Sequence, residues 1–451
     1  MLLAGMNIAR LNYSHGDLAS HQRCIGALRA AAAAVGVPLT ILADLPGPKM
    51  RVLEIANEPV VLGRGAPFTL TTDAIVGDEA RVAVNFPRLT HVVTPGAHIF
   101  LNDGTIQLEV VSVVGPDVMC RVLVGGELRS HKGLNLPGLA LGVSAFTEHD
   151  HACLKSALEN GVDAVSQSFV EGRADVDAVR EAAAALGHRP FIIAKIERAN
   201  ALANIDEILL ATDGIMIARG DLGVELPIEQ IAVVQKRLTA KANFLGKPVV
   251  TATQMLESMM DHPRPTRAEA TDVANAILDG SDCVMLSEES AMGRYPVEAV
   301  RMLASIAEAT EPFRVHGRLR EVFPDYERVH EVPLAQIFSH HVQQTVDHLV
   351  PSAVIVATDT GRSARLISRF KLPVWITAVS GNAATCRQLQ FSFGVHAVYE
   401  PKRPSDWKEF ARGWVREQGL PDGLVVLTES PSPDSPGTNY RIEVMDLRQP
   451  T

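Results

Sequence analysis

Lys195 and Glu197 stand two apart at the end of the apolar run IIAKIE, and Arg219 and Asp221 stand two apart just past GIMIA. Successive side chains of a strand alternate faces, so each pair points one way and both pairs arrive at one rim. Two carboxylates from neighbouring strands are hard oxygen donors that suit Mg2+ and leave positions open for water and substrate oxygens. A lysine beside them would face a metal-bound anion. A plain ion pair closing a barrel end also fits either pair alone, and fits less well once both stand on adjacent strands. Arg10, Asn12 and Ser14 repeat the spacing on an earlier strand, and Asp44 ends the next one. Arg10 suits a phosphate contact and the oxygens a second cation pocket; alternatively, Asn12 and Ser14 cap a helix opening near Asp17. Thr253, Ser287 and Glu289 add hydroxyls and acid to the rim, although each taken singly is more often a turn or cap residue.

Seven short apolar runs must position these groups: residues 5–14, 38–45, 162–169, 190–197, 213–221, 247–254 and 281–288. Consecutive apolar positions read as parallel strands buried on both faces, and helix-periodic stretches such as ADVDAVREAAAAL lie between them. Eight such units close a barrel with its chemistry at the C-terminal strand ends, so the pattern predicts a TIM-type (β/α)8 barrel over 1–48 and 143–313, with one strand missing before Met1. Residues 49–142 change texture to short alternating segments with turn signals at Gly77-Asp78 and Asn102-Asp103-Gly104, and read as an inserted β-rich lid domain. Residues 314–451 read as an open α/β domain, from a helix near 335–350 and the runs AVIVAT, VWITAV and GLVVLT.

Composition bounds the partners. With 42 Lys plus Arg against 52 Asp plus Glu, the net charge of −10 opposes adhesion to nucleic acid or anionic membrane, so small molecules held by local positive sites are expected. Five scattered cysteines without paired spacing argue against a disulfide framework and for a cytoplasmic protein. Thr266-x-x-Glu269 reads as a capping box. His15, His131, His149 and His151 show no helical metal spacing and read as surface residues.

The segments MNIARLNYSHG, KGLNLPG, IIAKIE, IMIARGDLGVELP, TATQMLESM and PRPTRAEATDVANAILDGSDCVMLSEESAMGRYP, in that order, closely resemble pyruvate kinase. The resemblance implies a homotetramer that transfers the phosphoryl group of phosphoenolpyruvate to ADP, giving pyruvate and ATP, with Mg2+ or Mn2+. It implies Glu197 and Asp221 as Mg2+ ligands, and Lys195 as the cation facing the transferring phosphoryl and the enolate. Arg10 and Arg51 correspond to phosphate-contacting arginines, and Lys132 in KGLNLPG to a nucleotide contact from the lid. Gly220 falls on the substrate side, and Thr253, with Ser287 and Glu289 nearby, matches the region through which the enolate is protonated. Many members need K+ in a pocket corresponding to Asn12, Ser14, Asp44 and a following threonine. Here Leu45 takes the threonine position and Lys49 that of a glutamate, which predicts that the Lys49 ammonium replaces K+ and that K+ is not required.

Some positions depart from the family. Its usual first strand, carrying Thr-Ile-Gly-Pro, is absent, and Glu288 and Met292 stand where glycine and lysine are usual. Residues 358–363 resemble an effector loop for phosphorylated sugars, but Asp359 and the Pro-rich 430–436 argue against that ligand. Two rival readings follow: an impaired, ligand-binding relative, favoured by the missing strand, and a metal-dependent barrel lyase acting on a 2-oxo acid, disfavoured by Arg51 and Lys132.

Overall fold

A computed structural model describes residues 1–314, 319, 332–432 and 436–449. The first two strands, β1 (Ile8–Asn12) and β2 (Thr40–Leu45), are joined by the helix Leu18–Val35. The chain then builds β3 (Val60–Leu62), β4 (Pro67–Thr71), β5 (Arg81–Ala83), β6 (His98–Leu101), β7 (Ile106–Val114), β8 (Asp117–Val124), β9 (Gly126–Leu128) and β10 (Leu134–Asn135). It returns to β11 (Ala164–Gln167), β12 (Phe191–Ile196), β13 (Gly214–Ala218), β14 (Val249–Ala252) and β15 (Cys283–Met285). The strands β1, β2 and β11 to β15 form one seven-stranded sheet whose every pairing is parallel, with β1 and β15 at its ends.

Two layers follow from strand alternation. Ile41, Ala43, Val165, Ile192, Ala194, Ile215 and Ile217 face the helices, whereas Leu42, Ala164, Phe191, Ile193, Met216 and Val250 form an inner cluster. Ile8 from the first strand and Cys283 and Met285 from the last pack against that same inner cluster, so the sheet curls around it. Lys195 and Asp44 lie in register with the inner residues Ile193 and Leu42, which aims both into the mouth of the curl.

Three aspartates stand immediately before strands at the opposite end. Asp163, Asp213 and Asp282 each accept a hydrogen bond from a backbone N–H of the neighbouring strand, at Ile41 (2.8 Å), Ile192 (3.0 Å) and Val249 (3.0 Å). These are N–H groups that the parallel ladder leaves unpaired, and a buried donor without an acceptor costs about 1–3 kcal/mol.

The inserted region holds a six-stranded sheet, order β10-β6-β7-β8-β4-β5, and a separate β3–β9 pair. The C-terminal region holds β16 (Ala353–Ala357), β17 (Ile376–Ser380), β18 (Val395–Tyr399), β19 (Leu424–Glu429) and β20 (Arg441–Asp446), in the order β18-β17-β16-β19-β20. Only β20 is antiparallel there, and neither β18 nor β20 stands out in the sequence, because half-exposed edge strands lack a continuous apolar run. Among the described residues no helix is long and apolar enough to cross a membrane, and all five cysteines are free.

The C-terminal region closes the base of the barrel. Phe391, 1% exposed, belongs to the inner cluster and stacks on Phe191 with ring centroids 5.3 Å apart. Arg387 and Lys371 from the same region pair with Asp163 and Asp282 at 2.5 Å each. Phe391→Ala therefore leaves a cavity under the barrel, and is expected to lower stability by about 3–5 kcal/mol in denaturant unfolding. A loss below about 1 kcal/mol would show that the plug contributes little.

Candidate active site

The inner-face residues at the strand ends form a charge lattice. Arg10 donates to Asp44 Oδ2 through Nε (2.7 Å) and Nη2 (2.5 Å), and Ser166 Oγ donates to Asp44 Oδ1 at 2.7 Å. Lys195 Nζ lies 3.4 Å from Asp44 Oδ2 and 2.7 Å from Glu197 Oε1, and donates to Ser168 Oγ at 2.7 Å. Glu197 Oε2 accepts the N–H of Phe169 at 2.8 Å. Ser166 lies on β11 and Ser168 one residue past its end, and their two-residue spacing is the signal that marks them in the sequence.

Burial makes these contacts consequential: Asp44 and Glu197 are each 1% exposed and Lys195 8%. Burial alone would push the Asp44 carboxyl up, but Lys195, Arg10 and the Ser166 hydroxyl outweigh it and hold it below the usual carboxylate range. Burial alone would pull the Lys195 ammonium down; Asp44 and Glu197 reverse that and raise it. For Glu197, burial dominates, and with the Asp221 charge it overcomes Lys195, so the carboxyl is raised. A carboxylate pushed up partly by a second carboxylate beside a solvent-facing mouth is relieved by a cation, and Glu197 with Asp221 supplies two hard oxygen groups for one.

Arg219 does not reach the rim. The strand ends at Ala218 and a helix runs over Arg219–Glu225, so alternation no longer applies. The guanidinium turns to Asp272 (2.7 Å) and to the carbonyl of Thr253 (2.7 Å). It thereby clamps a turn in which Thr253 (φ 69°) and Gln254 (φ 52°) hold left-handed backbone that a β-branched residue rarely adopts. Thr253 Oγ1 accepts the Gly220 N–H at 2.8 Å, which brings those two residues together at the rim.

Glu289 sits behind the rim, 3% exposed, with its oxygens accepting the N–H groups of Leu256 (3.1 Å) and Ser287 (2.7 Å). Its carboxylate is committed to backbone and shapes the loop that carries Ser287. Thr266 and Glu269 form the expected capping box. Asn12 pairs in register with Asp44, and its Oδ1 accepts the N–H of Ser14 at 3.1 Å. The cap of the first long helix is Asp17, paired with Ser20, rather than Asn12 or Ser14.

On the inserted-domain side, Arg51 pairs with Gly133 as an isolated bridge and donates to the His131 carbonyl at 2.8 Å, while the Lys132 carbonyl accepts the Val52 N–H. Burial, together with the charges of Lys49, Arg51 and Arg10, lowers the His15 pKa against the opposing pull of Glu288. Lys49 has no carboxylate ion-pair partner among the described residues, and Leu45 is wholly buried in the strand–helix layer. His15, His131, His149 and His151 are all exposed.

In the C-terminal region a cavity of about 280 Å³ includes Thr358, Asp359, Thr360, Arg362 and Ser363 in its wall. The Asp359 carboxylate there accepts a hydrogen bond from Ser432, and residues 433–435 of the Pro-rich segment lie outside the described residues.

Asp44 carries the most donors at the mouth, and Asp44→Asn removes the carboxylate shared by the buried Lys195, which keeps Glu197, and the partly exposed Arg10. A loss of about 3 kcal/mol at pH 7 is expected, the lower end for breaking a buried pair. Since folding lowers the Asp44 pKa, its stabilisation is present above the ordinary carboxylate range, near pH ~4, and is lost as pH falls through the folded value. The variant should accordingly show a shallower acid limb than the parent in unfolding against pH, and superimposable limbs would remove Asp44 from the lattice.

Comparison with known proteins gives one family throughout. The family model described as "Pyruvate kinase, barrel domain" matches residues 1–300, and "Pyruvate kinase, alpha/beta domain" matches residues 337–442. The chain is 46% identical to the pyruvate kinase of Thermococcus litoralis, over 97% of this chain and 93% of that protein. It is 39% identical to that of Clostridium perfringens, over 96% of this chain and 93% of the relative. A crystal structure of a pyruvate kinase from Cryptosporidium parvum superposes with a TM-score of 0.92 at 31% identity, covering 99% of this chain and 92% of the other.

Proposed function

Since this chain belongs to the pyruvate kinase family, we propose that its barrel mouth transfers the phosphoryl group of phosphoenolpyruvate to ADP, giving pyruvate and ATP. The observation that carries the reading is the buried ammonium of Lys195 between Asp44 and Glu197, with Asp221 alongside. Phosphoryl transfer asks the protein for positioning and charge neutralisation rather than covalent work.

Glu197 and Asp221 are the residues that would hold Mg2+ or Mn2+. Such an ion, when bound, supplies positive charge to the phosphoryl and carboxylate oxygens of the substrate. Lys195 stabilises charge developing on the phosphoryl group and on the enolate oxygen that it leaves. Arg10 and Arg51 contact phosphate, and Lys132 contacts the nucleotide from the inserted domain. Gly220, its N–H held by the Thr253 hydroxyl, borders the carboxylate end of the substrate, with Thr253 beside the methylene carbon that takes up a proton once the phosphoryl has departed. Ser287 borders that side, and Glu289 fixes its loop. The inserted domain, 49–142, acts as a lid that keeps water from taking the phosphoryl group. Assembly as a homotetramer in the cytoplasm completes the reading, consistent with five free cysteines.

Asn12, Ser14 and Asp44 correspond to a monovalent-cation pocket, but Asp44 already serves Arg10 and Lys195, and Leu45 turns into the core. Lys49 supplies the positive charge in place of K+.

Two kinetic experiments test this. Lys195→Met is expected to lower kcat by several orders of magnitude while phosphoenolpyruvate affinity changes far less, and near-normal turnover would remove Lys195 from the chemistry. Initial rates of the parent in tetramethylammonium buffer at fixed ionic strength should be unchanged by K+, whereas Lys49→Glu should lose most activity until K+ is added. Strong activation of the parent by K+ would return Lys49 to the lid surface.

A further inference from the structure

Arg198 follows Glu197 directly and points to the opposite side of the strand end, where it is 2% exposed. Its guanidinium makes an ion pair with Glu171 at 2.9 Å, donates to the carbonyls of Leu139 (2.8 Å) and Leu136 (3.4 Å), and lies 4.0 Å from Glu225. Glu225 Oε2 in turn accepts the N–H groups of Gly138 (3.4 Å) and Ala199 (3.3 Å). Residues 136–139 are the segment by which the chain leaves β10 of the inserted sheet for the barrel. One buried cation thus grips that segment by its carbonyls, and one buried carboxylate grips it by its N–H.

The two gripping residues are not independent of the rim. Arg198 is bonded through the chain to Glu197. Glu225 is the last residue of the short helix that contains Asp221. Glu171 lies two residues past Phe169, whose N–H holds Glu197 Oε2. Burying an arginine carries a desolvation penalty that can exceed what its ion pairs return, and apolar replacement of a buried ion pair is often neutral or stabilising, so stability alone is a weak reason for this network. What the charged network supplies is direction: Arg198 Nη2 donates to the carbonyls of both Leu136 and Leu139, while Glu171 and Glu225 hold the guanidinium by charge, so the return segment has one favoured placement.

We infer that Arg198 and Glu225 are positioning residues that lock the return segment of the inserted domain to the two rim carboxylates, so that lid orientation and metal affinity are set together. The inference rests on Glu197 and Asp221 being the metal-holding pair. It predicts that loosening the clamp weakens metal binding and nucleotide binding in parallel, although Arg198 touches neither ligand, while phosphoenolpyruvate binding is affected less.

The test measures free Mn2+ by electron paramagnetic resonance during titration of the full-length protein, with initial rates against ADP and phosphoenolpyruvate. The proteins compared are the parent, Arg198→Met, Arg198→Lys, Glu225→Gln and Asp221→Asn. Arg198→Met is expected to weaken Mn2+ binding and raise the KM for ADP, each by about ten-fold, with the KM for phosphoenolpyruvate rising much less. Arg198→Lys, which keeps the charge and loses the fork, should fall between it and the parent. Parent-like Mn2+ affinity and KM for ADP in Arg198→Met, with only a lower Tm, would overturn the inference. Should Arg198→Met fail to fold, the near-isosteric Glu225→Gln decides on the same two readouts. Parent-like Mn2+ binding in Asp221→Asn would instead overturn the assignment of the metal pair and the inference with it.

Discussion

The barrel mouth depends on one electrostatic constraint: an ammonium group that is 8% exposed must be kept charged inside a curled sheet. Desolvation of Lys195 opposes that, and only carboxylates delivered from two different strands reverse it. Asp44 does so from β2 and Glu197 from the end of β12 itself, which ties the site to the register of the parallel sheet. A one-residue slip would turn both residues into the helix layer. The same parity that fills the interior with Leu42, Phe191, Ile193 and Met216 therefore aims the chemistry upward.

Each end of the barrel is closed by a neighbouring region, and the two closures use different physics. At the base, Phe391 fills the interior by apolar packing and stacking, while Asp163 and Asp282 serve strand N–H groups and C-terminal cations together. At the mouth, the junction with the inserted domain is polar and buried. Apolar closure resists deformation because any shift opens a cavity. A directional polar clamp instead favours particular orientations of the groups it binds.

Much of this was legible in the sequence. The seven barrel strands, three to six residues long, follow from the apolar runs, and residues 49–142 differ in texture through their short alternating segments. Period-two spacing, which holds while the chain is extended, picks out Lys195, Glu197 and Arg10, and Asp44 follows as the acid that ends the next strand. Arg219 shows where that logic ends: the strand stops one residue earlier, helix geometry takes over, and the guanidinium turns to Asp272. The sequence places Glu289 at the rim as an acid, but two backbone N–H groups claim it, a fact of loop geometry with no sequence signal. Arg198 carries no sequence signal either, because its partners come from residues 136–139, 171 and 225, and no local pattern foretells such a meeting.

The fate of the phosphoryl group decides what the barrel mouth does. Incubation of the protein with phosphoenolpyruvate labelled in its phosphoryl group, ADP and Mg2+ allows ATP, pyruvate and free phosphate to be quantified together. A mouth that neutralises charge while excluding water predicts label in ATP in a one-to-one ratio with pyruvate, and negligible free phosphate. Pyruvate formed with label released as phosphate, or no pyruvate at all, would contradict it.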